Sequence, residues 1–166
     1  MADAGNPAAE FNLGFAYELG HGVPQNYAQA DAWYRKAAAQ GDAAAEYNLG
    51  YDYEHGLGVP QNYAQADAWY REAAAQGDAV AENHLGVAYA LGNGIPQNLT
   101  QSDAWFRKAA AQGNADAENH LGIAYYLGLG VPQNNMKAVH WLQKAANQGV
   151  ASAQHLLRHI EAGGAG

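Results

Sequence analysis

Hydrophobic positions recur along this chain at a helical spacing nested inside a much longer one. Over residues 43–55, Ala45, Leu49 and Tyr53 follow one another every four residues, which predicts a helix with one apolar stripe. Asp42 stands where it can cap that helix, and Gly50 beside Leu49 leaves room for a neighbouring helix to come close. The run Gly56-Leu57-Gly58-Val59-Pro60 then predicts a break, because glycine permits positive φ and proline cannot continue a helical ladder. Asn62, with Gln65 three residues on, predicts the start of a second helix as in a capping box. That helix turns Ala66, Trp69, Ala73 and Ala74 inward and stops at Gly77, the expected C′ glycine. No run alternates with period two, so β structure is not expected.

The same hairpin is written four times. Trp33, Trp69, Trp105 and Trp141 are each 36 residues apart, as are Leu13, Leu49, Leu85 and Leu121, and Tyr17, Tyr53, Tyr89 and Tyr125. The units run 9–44, 45–80, 81–116 and 117–152. A last half-unit, 153–162, mixes His155, Arg158 and His159 with Leu156, Leu157 and Ile160, as a capping helix with one polar face would. Ala162–Gly166 is expected to fray. One hairpin cannot bury its own stripe, whereas three or more stacked hairpins can. The expected fold is therefore all-α: one domain over 1–166, an α-solenoid of four 36-residue helix-turn-helix repeats with a C-terminal cap.

The repeated residues carry a resemblance. In the second unit they are Ala45, Leu49, Gly50, Tyr53, Gly56, Gly58, Val59, Ala66, Trp69, Ala73, Ala74 and Gly77. This pattern resembles the Sel1-like repeat, a relative of the tetratricopeptide repeat, over about residues 5 to 157. The resemblance implies a right-handed superhelix whose first helices line a concave side. It also implies an adaptor role in protein assembly, commonly in bacteria. The fourth unit departs from the other three at Lys137, Val139 and Val150. Some disulfide-rich bacterial relatives are linked to penicillin binding, but they carry a cysteine pair in each repeat. This chain has no cysteine, so that activity does not carry over.

Composition narrows the partners. With 49% hydrophobic and 14% charged residues the chain has the profile of a folded protein. Net charge is −8 and the eight Lys and Arg form no basic stripe, which argues against nucleic acid and anionic membrane surfaces. No apolar stretch approaches the length of a membrane span, and Met1–Ala9 lacks the pattern of a secretion signal. Without cysteine there are no disulfides, thiolate metal sites or cysteine nucleophiles; the compartment stays open.

Carried onto this sequence, the resemblance places four rows on the concave side. They are Phe11, Tyr47, Asn83 and Asn119; Asn12, Asn48, His84 and His120; Phe15, Tyr51, Val87 and Ile123; and Glu18, Glu54, Ala90 and Tyr126. The implied groove is aromatic toward the N-terminus and polar and histidine-bearing toward the C-terminus. The competing expectation is that these side chains pack between helices. Units one and two differ only at Phe11/Tyr47, Phe15/Tyr51, Ala16/Asp52, Leu19/His55, His21/Leu57, Lys36/Glu72 and Ala44/Val80, mostly on the first helix and its loop. Seven acids (Glu10, Glu18, Glu46, Asp52, Glu54, Glu82 and Glu118) lie on first helices, while seven of the eight basic residues lie on second helices. A neutral or basic, extended or helical segment of a protein or peptide is the expected ligand. For Glu10, Glu46, Glu82 and Glu118, an acid in the first turn also suits the helix dipole.

No catalytic constellation emerges. His84 and His120 occupy equivalent positions in adjacent units, about 10 Å apart for packed helices, which is long for a shared zinc. Ser102 and Ser152, the only serines, sit on no strained turn. Each Gly-x-Gly follows a helix rather than a strand, as an interhelix turn does, not a phosphate loop. Asn98-Leu99-Thr100 fits the glycosylation pattern, but Asn98 is the repeat's N-cap. The chain is expected to be no enzyme and to need no metal or cofactor. The leading reading is a protein- or peptide-binding adaptor. The alternative is a structural or engineered consensus-like scaffold, or a fragment of a longer solenoid, with no ligand of its own. Weakly capped ends leave end-to-end self-association open.

Overall fold

The computed structural model describes residues 5–163. Among them lie nine helices and no strand: α1 (Pro7–Leu19), α2 (Tyr27–Ala38), α3 (Ala43–His55), α4 (Tyr63–Ala75), α5 (Ala79–Leu91), α6 (Leu99–Ala111), α7 (Ala115–Leu127), α8 (Asn135–Asn147) and α9 (Ala151–Gly163). Odd-numbered helices lead each hairpin and even-numbered ones follow, with α9 as the terminal cap. That cap continues to Gly163, two residues into the stretch expected to fray; the rest of that stretch lies outside the described residues. Contacts divide the chain into two compact units, one reaching to Ala81 and including Asn93–Ile95, the other holding Glu82–Gly92 and everything from Pro96.

Polar side chains start the helices. Asn26, Asn62, Asn98 and Asn134 each accept, through Oδ1, the backbone N–H three residues on at 3.0–3.1 Å. Asp42, Asp78 and Asn114 do the same for leading helices at 2.8–2.9 Å. Such caps contribute ~1 kcal/mol each. Asn98 is thus engaged as a cap, and α9, entered at Val150, has no such side-chain acceptor.

Packing within a hairpin rests on one glycine. At Gly50 an added Cβ would stand 2.6 Å from ring carbons of Tyr70, and at Gly86 one would stand 2.5 Å from those of Phe106. The leading helix is bare there so that the large side chain of the second helix lies flat against its backbone. Tyr34, Tyr70, Phe106 and Leu142 are these buried residues. Trp69 turns inward, half-buried and packed against the Tyr34–Leu49 core, while the fully buried member is its neighbour Tyr70, which the apolar pattern did not single out. Tryptophan exposes one face to cations instead, with Lys36 Nζ 3.7 Å from the Trp33 centroid and Lys108 Nζ 4.0 Å from that of Trp105.

Each hairpin also carries a buried polar clasp. Glu10, Glu46, Glu82 and Glu118 are buried and accept Nε2–H of Gln40, Gln76, Gln112 and Gln148 at 2.5–2.8 Å. Burial pushes the Glu46 carboxyl above its ordinary range, a rise opposed by the Gln76 hydrogen bond. These acids bind the two ends of a hairpin together, a tertiary role beyond the dipole argument.

Candidate partner-binding surface

In the compact unit that reaches to Ala81, hereafter the first unit, which holds the first two repeats, Phe11 and Tyr47 turn toward the second helices. Their ring centroids lie 5.6 Å from Tyr34 and 5.8 Å from Tyr70, and burial pushes the Tyr47 hydroxyl up to about 12. Phe15, one turn further, is 43% exposed. Tyr51 stacks on His55 at 4.0 Å. Asn12 is exposed and Asn48 half-buried. Glu18 accepts the Tyr34 hydroxyl, and Glu54 accepts that of Tyr70 at 2.5 Å. Burial first, then these carboxylates, raise both phenols well above the ordinary tyrosine range.

In the second unit, Asn83 and Asn119 are buried. Asn83 Oδ1 is 3.1 Å from His120 Nδ1, and since an amide oxygen only accepts, the pair is joined in the tautomer that carries its proton on Nδ1. Burial holds the His120 imidazole below its usual value, and its ring lies 4.6 Å from Phe106. His84 and Tyr126 are half-buried. Val87, His120 and Ile123 line a cavity of about 260 Å³, completed by Ala90, Leu91, Leu99, Ser102, Asp103, Phe106, Ala124 and Leu129. Its polar members are occupied: Ser102 Oγ donates to the Gly86 carbonyl at 2.7 Å, and Asp103 takes both Arg107 donors at 2.7 and 3.2 Å. The space left is apolar, of a size for one large side chain.

Register explains why the cavity is there. Glu18 and Glu54 correspond to Ala90, Tyr34 and Tyr70 to Phe106, Tyr51 to Ile123, and Asp52 to Ala124. The third repeat loses phenol and carboxylate together, so no hydroxyl is stranded and the recess empties. Sequence reasoning missed Leu91, Leu99, Phe106 and Leu129 as lining. The available signal was this paired departure from the first two repeats.

Asp52 was seen as a difference between repeats but not as a site residue. It is buried, its Oδ2 has no hydrogen-bond partner, and its carboxyl is pushed up to about 8 by burial and by neighbouring Glu18 and Asp31, against Arg35. Among the described residues no group of three or more His, Asp or Glu is arranged to hold a metal ion, and no helix is long and apolar enough to cross a membrane.

Stacked helical hairpins of one length, each with a glycine seat and a glutamate–glutamine clasp, define an all-α repeat solenoid. The family model for the Sel1 repeat matches residues 7–42, 43–78, 79–114 and 115–150, and the chain belongs to the Sel1 repeat family. Its structure is similar to that of a protective antigen of uropathogenic Escherichia coli displaying an SLR fold, at 40% identity and a TM-score of 0.95 over 98% of this chain and 35% of the antigen. A Sel1 repeat protein from Oxalobacter formigenes matches at 39% identity and a TM-score of 0.85, over 92% of this chain and 63% of that one. The chain thus spans about a third and under two thirds of these relatives' lengths. The cysteine-rich protein B of Helicobacter pylori shares the fold at 23% identity, with a TM-score of 0.61 over 76% of this chain and 96% of its own. No curated protein sequence matches the chain. Sel1-repeat proteins generally bind other proteins.

Proposed function

We propose that this chain is a non-enzymatic adaptor that captures a neutral or basic segment of a protein or peptide on the faces of its leading helices. In the first unit the capturing residues are Phe15, Tyr51, Asn12, Asn48, Glu18 and Glu54, with Phe11 and Tyr47 behind them. In the second they are Val87, His84, His120, Ile123 and Tyr126, with Asn83 and Asn119 behind them. The observation that carries the reading is the apolar cavity of about 260 Å³ beside Val87 and Ile123, since binding energy concentrates where a large side chain fills such a recess. The partly exposed aromatics of the first unit support it. Glu18 and Glu54, half-buried on leading helices, together with the net charge of −8, favour a basic segment.

The test is peptide display against the full chain, followed by affinity measurements on variants. Replacing Tyr47 and Tyr51 by Ala, and separately Ile123 by Asp, is expected to weaken capture of the selected peptides at least tenfold, about 1.4 kcal/mol. Unchanged affinity in both variants overturns the reading and favours a scaffold without its own ligand.

A further inference from the structure

We infer that the stacking face of α1, made by Ala9, Leu13 and Tyr17, docks a helix of a partner protein that carries an alanine stripe and an arginine reaching the Tyr17 hydroxyl. This surface is made of other residues than those proposed above to capture a segment, so the two readings stand or fall separately.

The chain shows twice what such a face takes. Ala45 and Leu49 on α3 are buried with Tyr34, Ala37 and Ala38 of α2, and Ala117 and Leu121 on α7 with Phe106, Ala109 and Ala110 of α6. The tyrosine that completes each stripe accepts an arginine from the same following helix. Arg35 Nη2 donates to the Tyr53 hydroxyl at 2.8 Å, and Arg107 Nη2 to that of Tyr125 at 2.5 Å. Asp31 and Asp103, one turn before, hold these guanidiniums through Nε at 2.8 and 2.7 Å, so each donor is fixed before it meets the tyrosine. Each guanidinium also lies 5.5–5.6 Å from the centroid of that tyrosine ring.

Ala9, Leu13 and Tyr17 hold the same three positions on α1. There they are only half-buried, while Ala45, Leu49, Ala117 and Leu121 are 0% exposed. Tyr17 packs one side on the α2 core, and its hydroxyl has no hydrogen-bond partner among the described residues. Stacked units meet through one nearest-neighbour interface. α1 thus presents the leading half of that interface, and α2 and α6 show the following half, a helix reading Asp-x-x-x-Arg-x-Ala-Ala. A second copy of the chain is not the fit. Its last following helix, α8, carries Val139 and Gln143 where α2 and α6 carry the aspartate and the arginine, and its Leu142 and Ala145 are buried with Ala153 and Leu157 of α9.

The test uses the full chain and a fluorescein-labelled peptide with the sequence of residues 26–40. The peptide is stapled between positions 28 and 32, which are exposed in α2, because a helix this short does not hold by itself in water. Fluorescence polarisation is expected to give saturable binding, and amide NMR to place the shifts on α1 around Ala9, Leu13 and Tyr17. Tyr17→Phe, which keeps the ring, and Arg35→Gln in the peptide are each expected to weaken binding about tenfold, and together no more than either alone. Leu13→Asp is expected to abolish it. Replacing Tyr47 and Tyr51 by Ala leaves it intact, which separates this docking from the adaptor reading. No saturable binding, shifts centred on α3 or α9, or full affinity in both Tyr17→Phe and Arg35→Gln overturns the inference. So does self-association of the chain in sedimentation that Leu13→Asp dissolves, which assigns the face to a second copy.

Discussion

Replacing Asp52 by Ala should make the protein more stable at neutral pH, an advantage that disappears in acid. Asp52 sits at 2% exposure with one oxygen unpartnered, and its carboxyl is raised from 3.8 to about 8, chiefly by burial and then by Glu18 and Asp31. In the unfolded chain it ionises near 4. Between those values the folded protein holds a proton that the unfolded chain has released, so stability falls as pH rises from about 4 to about 8 and levels off above. At pH 7 the displacement amounts to roughly three pH units at ~1.4 kcal/mol each. Local relaxation and the packing lost with the carboxyl reduce the net gain of Asp52→Ala to ~2–3 kcal/mol. The assay is urea unfolding of both chains at pH 4.5, 7 and 8.5, followed by tryptophan fluorescence. Acids remote from Asp52 contribute equally to both, so the difference between the profiles isolates Asp52 together with its coupling to Glu18 and Asp31. Parallel profiles, or a variant less stable at pH 7, refute the reasoning.

Other residues give sharp expectations of their own. Gly50→Ala gains helix propensity but drives a Cβ to 2.6 Å from the buried Tyr70 ring, and a net loss of ~1–3 kcal/mol in urea unfolding is expected. Tyr34→Phe and Glu18→Ala, made singly, each break a partly buried hydrogen bond, while the double change reproduces Phe106 with Ala90. A double-mutant cycle should show favourable coupling of ~1–2 kcal/mol. Ala90→Glu with Phe106→Tyr installs the first-repeat pair in the third repeat and fills the apolar cavity; peptides that bind the second unit should lose at least tenfold in affinity by fluorescence polarisation.

Much of the fold was legible because the repeat prints each rule several times. A lone Asn before an apolar run is a weak cap signal; Asn26, Asn62, Asn98 and Asn134 at one register are a strong one. The leucine–glycine pair announced a close approach, and the structure supplies its partner, the buried ring of the second helix. Trp69 reads as inward and does pack on the core, but the pattern passes over Tyr70 beside it: both are apolar enough to be core, and only the glycine opposite decides which is fully buried. The glutamate–glutamine clasps join residues 30 apart, a distance at which spacing alone names no contact. The candidate surface was legible as a set of registers, but not its depth. Whether a register is wall or floor depends on the volume of the side chain opposite. That is why Asn83 and Asn119 went inward and Ala90, read only as one member of a concave row, opened the cavity.

In the proposed adaptor, partners meet the leading helices. Photo-crosslinking tests it most directly, with benzoylphenylalanine placed in turn at positions 51 and 87 on leading helices and at 72 and 108 on following ones, each presented with a display-selected peptide. Adducts from 51 and 87 with none from 72 and 108 are predicted. Adducts formed chiefly from 72 and 108 would contradict the account.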